Sequence, residues 1–107
     1  MVIADSKIIS CTAALSNQNE FNKKLNLAKN RMFCNYAFYF GATPQNADDL
    51  KKLNNLEGCC GVKLFAGSST GNLLVKDEKD IEKVISNSSK IVSIHSEDED
   101  ILNLRKK

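Results

Sequence analysis

Two rhythms of apolar residues alternate along the chain. Val2 to Ala4 is a short apolar start, and residues 5–17 are mixed and irregular. Asn17, followed three residues later by Glu20, resembles a capping box. Phe21, Leu25, Ala28 and Met32 then recur at helical spacing, which predicts a helix over residues 19–32. Residues 34–40, CNYAFYF, are aromatic and almost continuously apolar, the pattern of a strand buried on both faces, with Gly41 as its end. Asn46 is placed as an N-cap and Asp48 and Asp49 suit a first turn. Leu50, Leu53 and Leu56 form the buried stripe, and Gly58 is the stop. Residues 62–65 predict a strand, followed by a loop over residues 66–72. Asp77 or Glu78 opens a helix with Ile81, Val84 and Ile85 inward. Residues 91–94 predict a strand ending at His95, and residues 97–106 a last helix carrying Ile101, Leu102 and Leu104.

This order, β-α-β-α-β-α-β-α, implies an α/β fold of parallel strands joined by helical crossovers. The 107 residues set a ceiling of one domain with a modest core. Apolar residues at 42% and charged residues at 26% exclude a disordered or fibrous chain. A net charge of +2, with no basic run beyond Arg105, Lys106 and Lys107, argues against nucleic acid as a partner. No apolar run is long enough to span a bilayer. Asp5 and Lys7 interrupt the first apolar stretch and no basic leader precedes it, so no secretory signal is expected and the cytoplasm is the expected location. Reduced thiols follow from that location. Cys11, Cys34, Cys59 and Cys60 are therefore read as small buried apolar residues, since the Cys59-Cys60 pair lacks the spacing of a redox or zinc motif.

Sites in parallel α/β folds form at the C-terminal ends of strands, and three features fall there. His95, the only histidine, closes a buried strand and can ligate a metal through its neutral imidazole; a hydrogen-bonded structural histidine is the plainer reading. Lys63 lies inside the apolar strand. It must face solvent, pair with an acid, or be altered to a Schiff base or carbamate; a snorkelling lysine is the plainer reading. The loop Gly67-Ser68-Ser69-Thr70-Gly71-Asn72 offers free backbone and hydroxyls for an anion, or is simply a flexible loop; the Walker pattern is absent. Glu97, Asp98 and Glu99 suit a helix start.

The stretch GVKLFAGSSTGNLLV at 61–75, followed by IVSIHSEDE at 91–99, resembles dihydroorotases of the amidohydrolase superfamily. NYAFYFGAT at 35–43 and KLNLAKNRM at 24–32 are similar to that family's third strand and second helix. The resemblance implies a (β/α)8 barrel that hydrolyses the ring amide of dihydroorotate in pyrimidine biosynthesis. One or two zinc ions hold the attacking hydroxide. By the same resemblance, Lys63 matches the carbamylated lysine that bridges the metals and His95 a metal-binding histidine. Ser69 and Thr70 lie in a loop that contacts substrate in some relatives.

The departures are large. The chain has no His-x-His pair, no second downstream histidine and no late-barrel aspartate. Where Asp5 matches the family's Asp-Met-Pro-Asn-Thr segment, Ile8 stands at the carboxylate-binding Asn. At 107 residues against roughly 250 for a full barrel, the chain resembles strands two to five with their helices, one partial barrel domain over residues 1–107. It is expected to be inactive alone, to self-associate or take a partner chain, and to meet dihydroorotate only when completed. A small non-catalytic module binding an anionic ligand through the Gly67–Asn72 loop is the alternative.

Overall fold

The computed structural model describes residues 2–3, 16–67 and 73–106. The elements run β1 (Val2–Ile3), α1 (Gln18–Ala28), β2 (Tyr36–Gly41), a 3-10 helix (Ala47–Asn55), β3 (Cys59–Phe65), α2 (Glu78–Asn87), β4 (Val92–His95) and α3 (Glu99–Arg105). The sheet order is β1-β2-β3-β4 and every pairing is parallel. The expected α/β class and strand sense are therefore those of the molecule.

Alternation along the strands divides the sheet into two faces. Phe38 and Phe40 of β2, Val62 and Leu64 of β3, and Val92 of β4 point to one side. There they meet Phe21 and Ala28 of α1, Ala47, Leu50 and Leu53 of the 3-10 helix, and Val84 of α2 in one core. The Phe21 ring packs edge-on to Phe38, with centroids 6.4 Å apart. Each buried side chain of this size contributes on the order of 1.5–3 kcal/mol. Three helical elements thus cover one face of the sheet.

Local chemistry explains most boundaries. Asn17 Oδ1 accepts the Glu20 amide at 3.0 Å and Asp77 Oδ1 the Lys79 amide at 2.8 Å, so both caps stand where the sequence places them. α1 ends at Ala28 rather than at Met32, because Asn30 turns the chain at φ 65°. Gly58 stops the next helix at φ 76°, and a Cβ there would fall 2.5 Å from Leu25 Cδ2.

Other expectations need correction. The helix over 47–55 is 3-10, not α. Ala47, Leu50, Leu53 and Leu56 recur every three residues, the period that stacks side chains on one face of a 3-10 helix. Asn46 does not cap it. Its Oδ1 accepts the Thr43 amide at 2.9 Å, and its Nδ2 donates to the carbonyls of Ser16 at 2.8 Å and Gly41 at 2.9 Å, tying α1's start to the end of β2. β3 begins at Cys59, three residues before its expected start. Ile85 of α2 is exposed, not inward. Cys59 is buried and Cys60 half-buried, but Cys34 is exposed in the turn before β2; Cys11 lies outside the described residues. No helix among the described residues is long and apolar enough to cross a membrane.

Candidate functional site on the bare sheet face

Lys63, Phe65, Ser93 and His95 share the other face of the sheet. Lys63 is in register with Ser93 and Phe65 with His95 across the β3–β4 pair. With a period of two, all four side chains leave the sheet on the same side. Tyr39 joins them from β2, in register with Gly61. A Cβ on Gly61 would stand 2.7 Å from Tyr39 Cε1 and 2.8 Å from the Ile91 carbonyl, so a side chain at 61 is excluded by the ring that lies over it. All five of these side chains are half-buried, in contrast to the fully buried Val62 and Leu64 between them.

Phe65 is the centre of this group. Lys63 Nζ lies 5.0 Å from its ring centroid, a cation–π contact. The His95 ring lies with its centroid 6.0 Å from the same ring at 33°. The sequence's two candidate metal residues therefore stand on neighbouring strands, on one face, both against one phenyl ring. His95 Nε2 is sealed from solvent and has no hydrogen-bond partner, although the side chain as a whole is 40% exposed. Glu97 Oε2 is 3.2 Å from it, outside hydrogen-bond alignment.

Gly67 opens the loop after β3. A Cβ there would meet the Glu97 carbonyl oxygen at 2.5 Å, so the close approach of the two loops excludes a side chain at 67. Ser69 and Thr70, the proposed substrate contacts, lie with the rest of residues 68–72 outside the described residues. A groove of about 800 Å³ beside Gly67 is lined by Asp77, Glu78, Glu97, Asp98 and Asp100 against Lys76 and Lys79. That excess of carboxylates disfavours an anion.

The zinc expectation meets a partial fit. An orphaned imidazole nitrogen suits a ligand. Lys63 as an ammonium is no ligand, and no group of three or more His, Cys, Asp or Glu among the described residues is placed to hold a metal. Catalytic zinc takes about three protein ligands, and among the described residues only His95 and, as a carbamate, Lys63 could supply any here.

Two further features of the molecule leave little or no mark on the sequence. Lys24 is 1% exposed in α1, with Nζ 5.4 Å from the Phe38 ring centroid. Its place between Phe21 and Ala28 was the available signal, because 21, 24 and 28 share one helical face. A cleft of about 730 Å³ runs between α1's start and the 3-10 helix, with Phe40 and Leu53 in its lining and Gln18, Gln45 and Asn55 among its polar residues. Residues so far apart in the chain give no sequence signal for it. No family model, curated protein or solved structure matches the chain.

Proposed function

We propose that this chain is part of a dihydroorotase-like amidohydrolase barrel, one that contributes Lys63 and His95 to a metal site completed by other strands. The observation that carries the reading is the juxtaposition of those two residues. They stand on the sheet face that no described helix covers, on adjacent strands, against the same Phe65 ring. The sequential strand order supports it as well. When each crossover moves one strand in the same direction, helices cover only one face, and the other face is free to become the inside of a (β/α)8 barrel.

Each residue has a definite part in this reading. The Lys63 ammonium, on losing a proton, would add carbon dioxide through its free amine and release a second proton; the carbamate so formed is an anion and would serve as a ligand. His95 supplies its sealed Nε2. Phe65 lies against both and sets their spacing. Zinc, where a complete ligand set holds it, supplies the acidity that turns bound water into a nucleophile at neutral pH. With two of its positions here, the chain alone is inactive.

Purified chain with zinc, bicarbonate and dihydroorotate is expected to give no turnover. Activity is expected when the complementary strands, with the His-x-His pair and the late-barrel histidine and aspartate, are supplied in trans. Lys63→Ala or His95→Ala is then expected to remove that activity by at least about 100-fold, as for a lost ligand or its support. Chelator-sensitive turnover by the chain alone would contradict its inactivity. Restored activity indifferent to both substitutions would overturn the site.

A further inference from the structure

We infer that the rim of the sheet where its strands begin docks on an anionic lipid bilayer, with Phe33 and Ile91 entering the headgroup region and Lys29, Arg31 and Lys90 against the acidic headgroups. This goes beyond the barrel reading and does not depend on it.

Every pairing in the sheet is parallel, so the strands start along one rim and end along the other. Phe33 stands in the turn that leads into β2. Ile91 stands immediately before β4, where its carbonyl accepts the Val62 amide. Both therefore belong to the starting rim. They are the two most exposed large apolar side chains among the described residues, Phe33 fully and Ile91 at 76%. The charge beside them is positive. Between Glu20 and Asp48 the chain has four cations and no acid. Two of these, Lys29 and Arg31, are exposed next to Phe33, and the half-buried Lys90 precedes Ile91. None of the three enters an ion pair among the described residues. Glu57 is the only acid in the connections into β2, β3 and β4. The opposite rim carries the reverse charge, since five carboxylates face Lys76 and Lys79 in the groove beside Gly67.

The shape and chemistry of this rim choose the occupant. A stable protein interface buries about 1,000 Å² or more, and two apolar prongs on separate connections would each need a matching pocket in a folded partner. A bilayer needs no such pocket, because its headgroups part around a projecting side chain. Apolar side chains there sink about 5–10 Å into the boundary of the acyl region, while Lys and Arg stay with the anionic headgroups. A single-stranded nucleic acid would use the same cations and stack a base on Phe33, but Ile91 offers no ring to a base. The isoleucine therefore favours lipid. The acidic rim adds an orientation, since the same surface repels it. The ends of β3 and β4, with Phe65 and His95, then face water.

The purified chain is expected to sediment with vesicles of phosphatidylcholine containing about 30% phosphatidylserine, and to bind pure phosphatidylcholine at least about 10-fold more weakly. Salt at about 0.5 M is expected to weaken the binding to a similar degree. Phe33→Ser and Ile91→Ser, both at exposed positions, are each expected to weaken it about 10-fold. Lys29→Glu combined with Arg31→Glu is expected to abolish it. The chain has no tryptophan, so Phe33→Trp gives a second measure. Its emission is expected to move to shorter wavelength on the anionic vesicles and to be quenched by brominated acyl chains. No binding to the anionic vesicles overturns the inference, as does binding unchanged by Phe33→Ser and Ile91→Ser. An emission that shifts on polyuridylate but not on vesicles overturns it too, and assigns the rim to nucleic acid. None of these results bears on the barrel reading, which its own turnover assay decides.

Discussion

Leu64 and Lys63 are neighbours on β3 and belong to different worlds. Leu64 points into the core with Phe38, Phe40 and Val62, under α1, the 3-10 helix and α2, and is fully buried. Lys63 points the other way, half-buried, its ammonium over the Phe65 ring and its register partner Ser93 beside it. One face of the sheet has its apolar area removed from water and its positions filled by Phe, Val and Leu. The other holds an ammonium, an imidazole with an orphaned nitrogen, a phenol and two loop ends. The contrast teaches which residues hold the fold and which are free for chemistry. A strand can carry both jobs because successive side chains never share a face.

The largest test of that division is Leu64→Ala against Lys63→Ala. Removing Leu64 leaves a cavity under three helical elements and is expected to cost about 2–5 kcal/mol by urea denaturation. Lys63→Ala is expected to cost no more than about 1 kcal/mol, the worth of its one cation–π contact. Equal costs would erase the distinction between the faces. Gly61→Ala is the next largest. It sits on the bare face, yet its Cβ would strike the Tyr39 ring and the Ile91 carbonyl. A loss of about 1–3 kcal/mol is expected from such overpacking, and Tyr39→Ala in the same chain should recover part of it.

Asn46→Ala probes the seam between α1 and β2. It leaves the Thr43 amide and the Ser16 and Gly41 carbonyls without their present partner, and about 1–3 kcal/mol is expected for groups so stranded. Asn17→Ala, which removes only a cap, should cost about 1 kcal/mol. If the two cost the same, the tie across the fold is worth no more than a helix end.

The smallest effect is one of pH. Burial pushes the Cys59 thiol up from its ordinary range, the largest of the influences on it. The unfolded thiol releases its proton first, near pH 8.5. The stability this thiol contributes is therefore fully present below that pH and is lost as pH rises toward its higher folded value. The urea midpoint should fall between pH 8 and 10, and Cys59→Ala should flatten part of the slope. In the same range a thiol reagent should modify exposed Cys34 well before Cys59.

The elements were legible because local signals agree with the packing. The Asn17 and Asp77 caps, Gly58 and the aromatic run of β2 each mark a boundary or a type that the fold keeps. The 3-10 helix was legible only in part. The leucine spacing of three shows a buried stripe, but short stripes fit either helix, and the tie made by Asn46 belongs to tertiary structure. Residue type alone favours burial of Cys34, whereas its position in the turn before β2 exposes it. At the site, Lys63 and His95 were each visible at strand positions. Their sharing of one face was not, because it depends on the β3–β4 register, which no short motif encodes. The role of Gly67 was hidden for the same reason, since its neighbour Glu97 is thirty residues away in the chain.

His95 is the only histidine, so its ring nitrogens give an unambiguous signal. Following those nitrogens by NMR while zinc is added in bicarbonate buffer, with the complementary strands supplied in trans, tests most directly whether this face carries the chemistry. The account predicts that zinc shifts Nε2, that Lys63→Ala weakens the effect, and that amides of Phe38, Val62 and Leu64 hold still. An imidazole that ignores saturating zinc, or one that responds equally without Lys63, would contradict it.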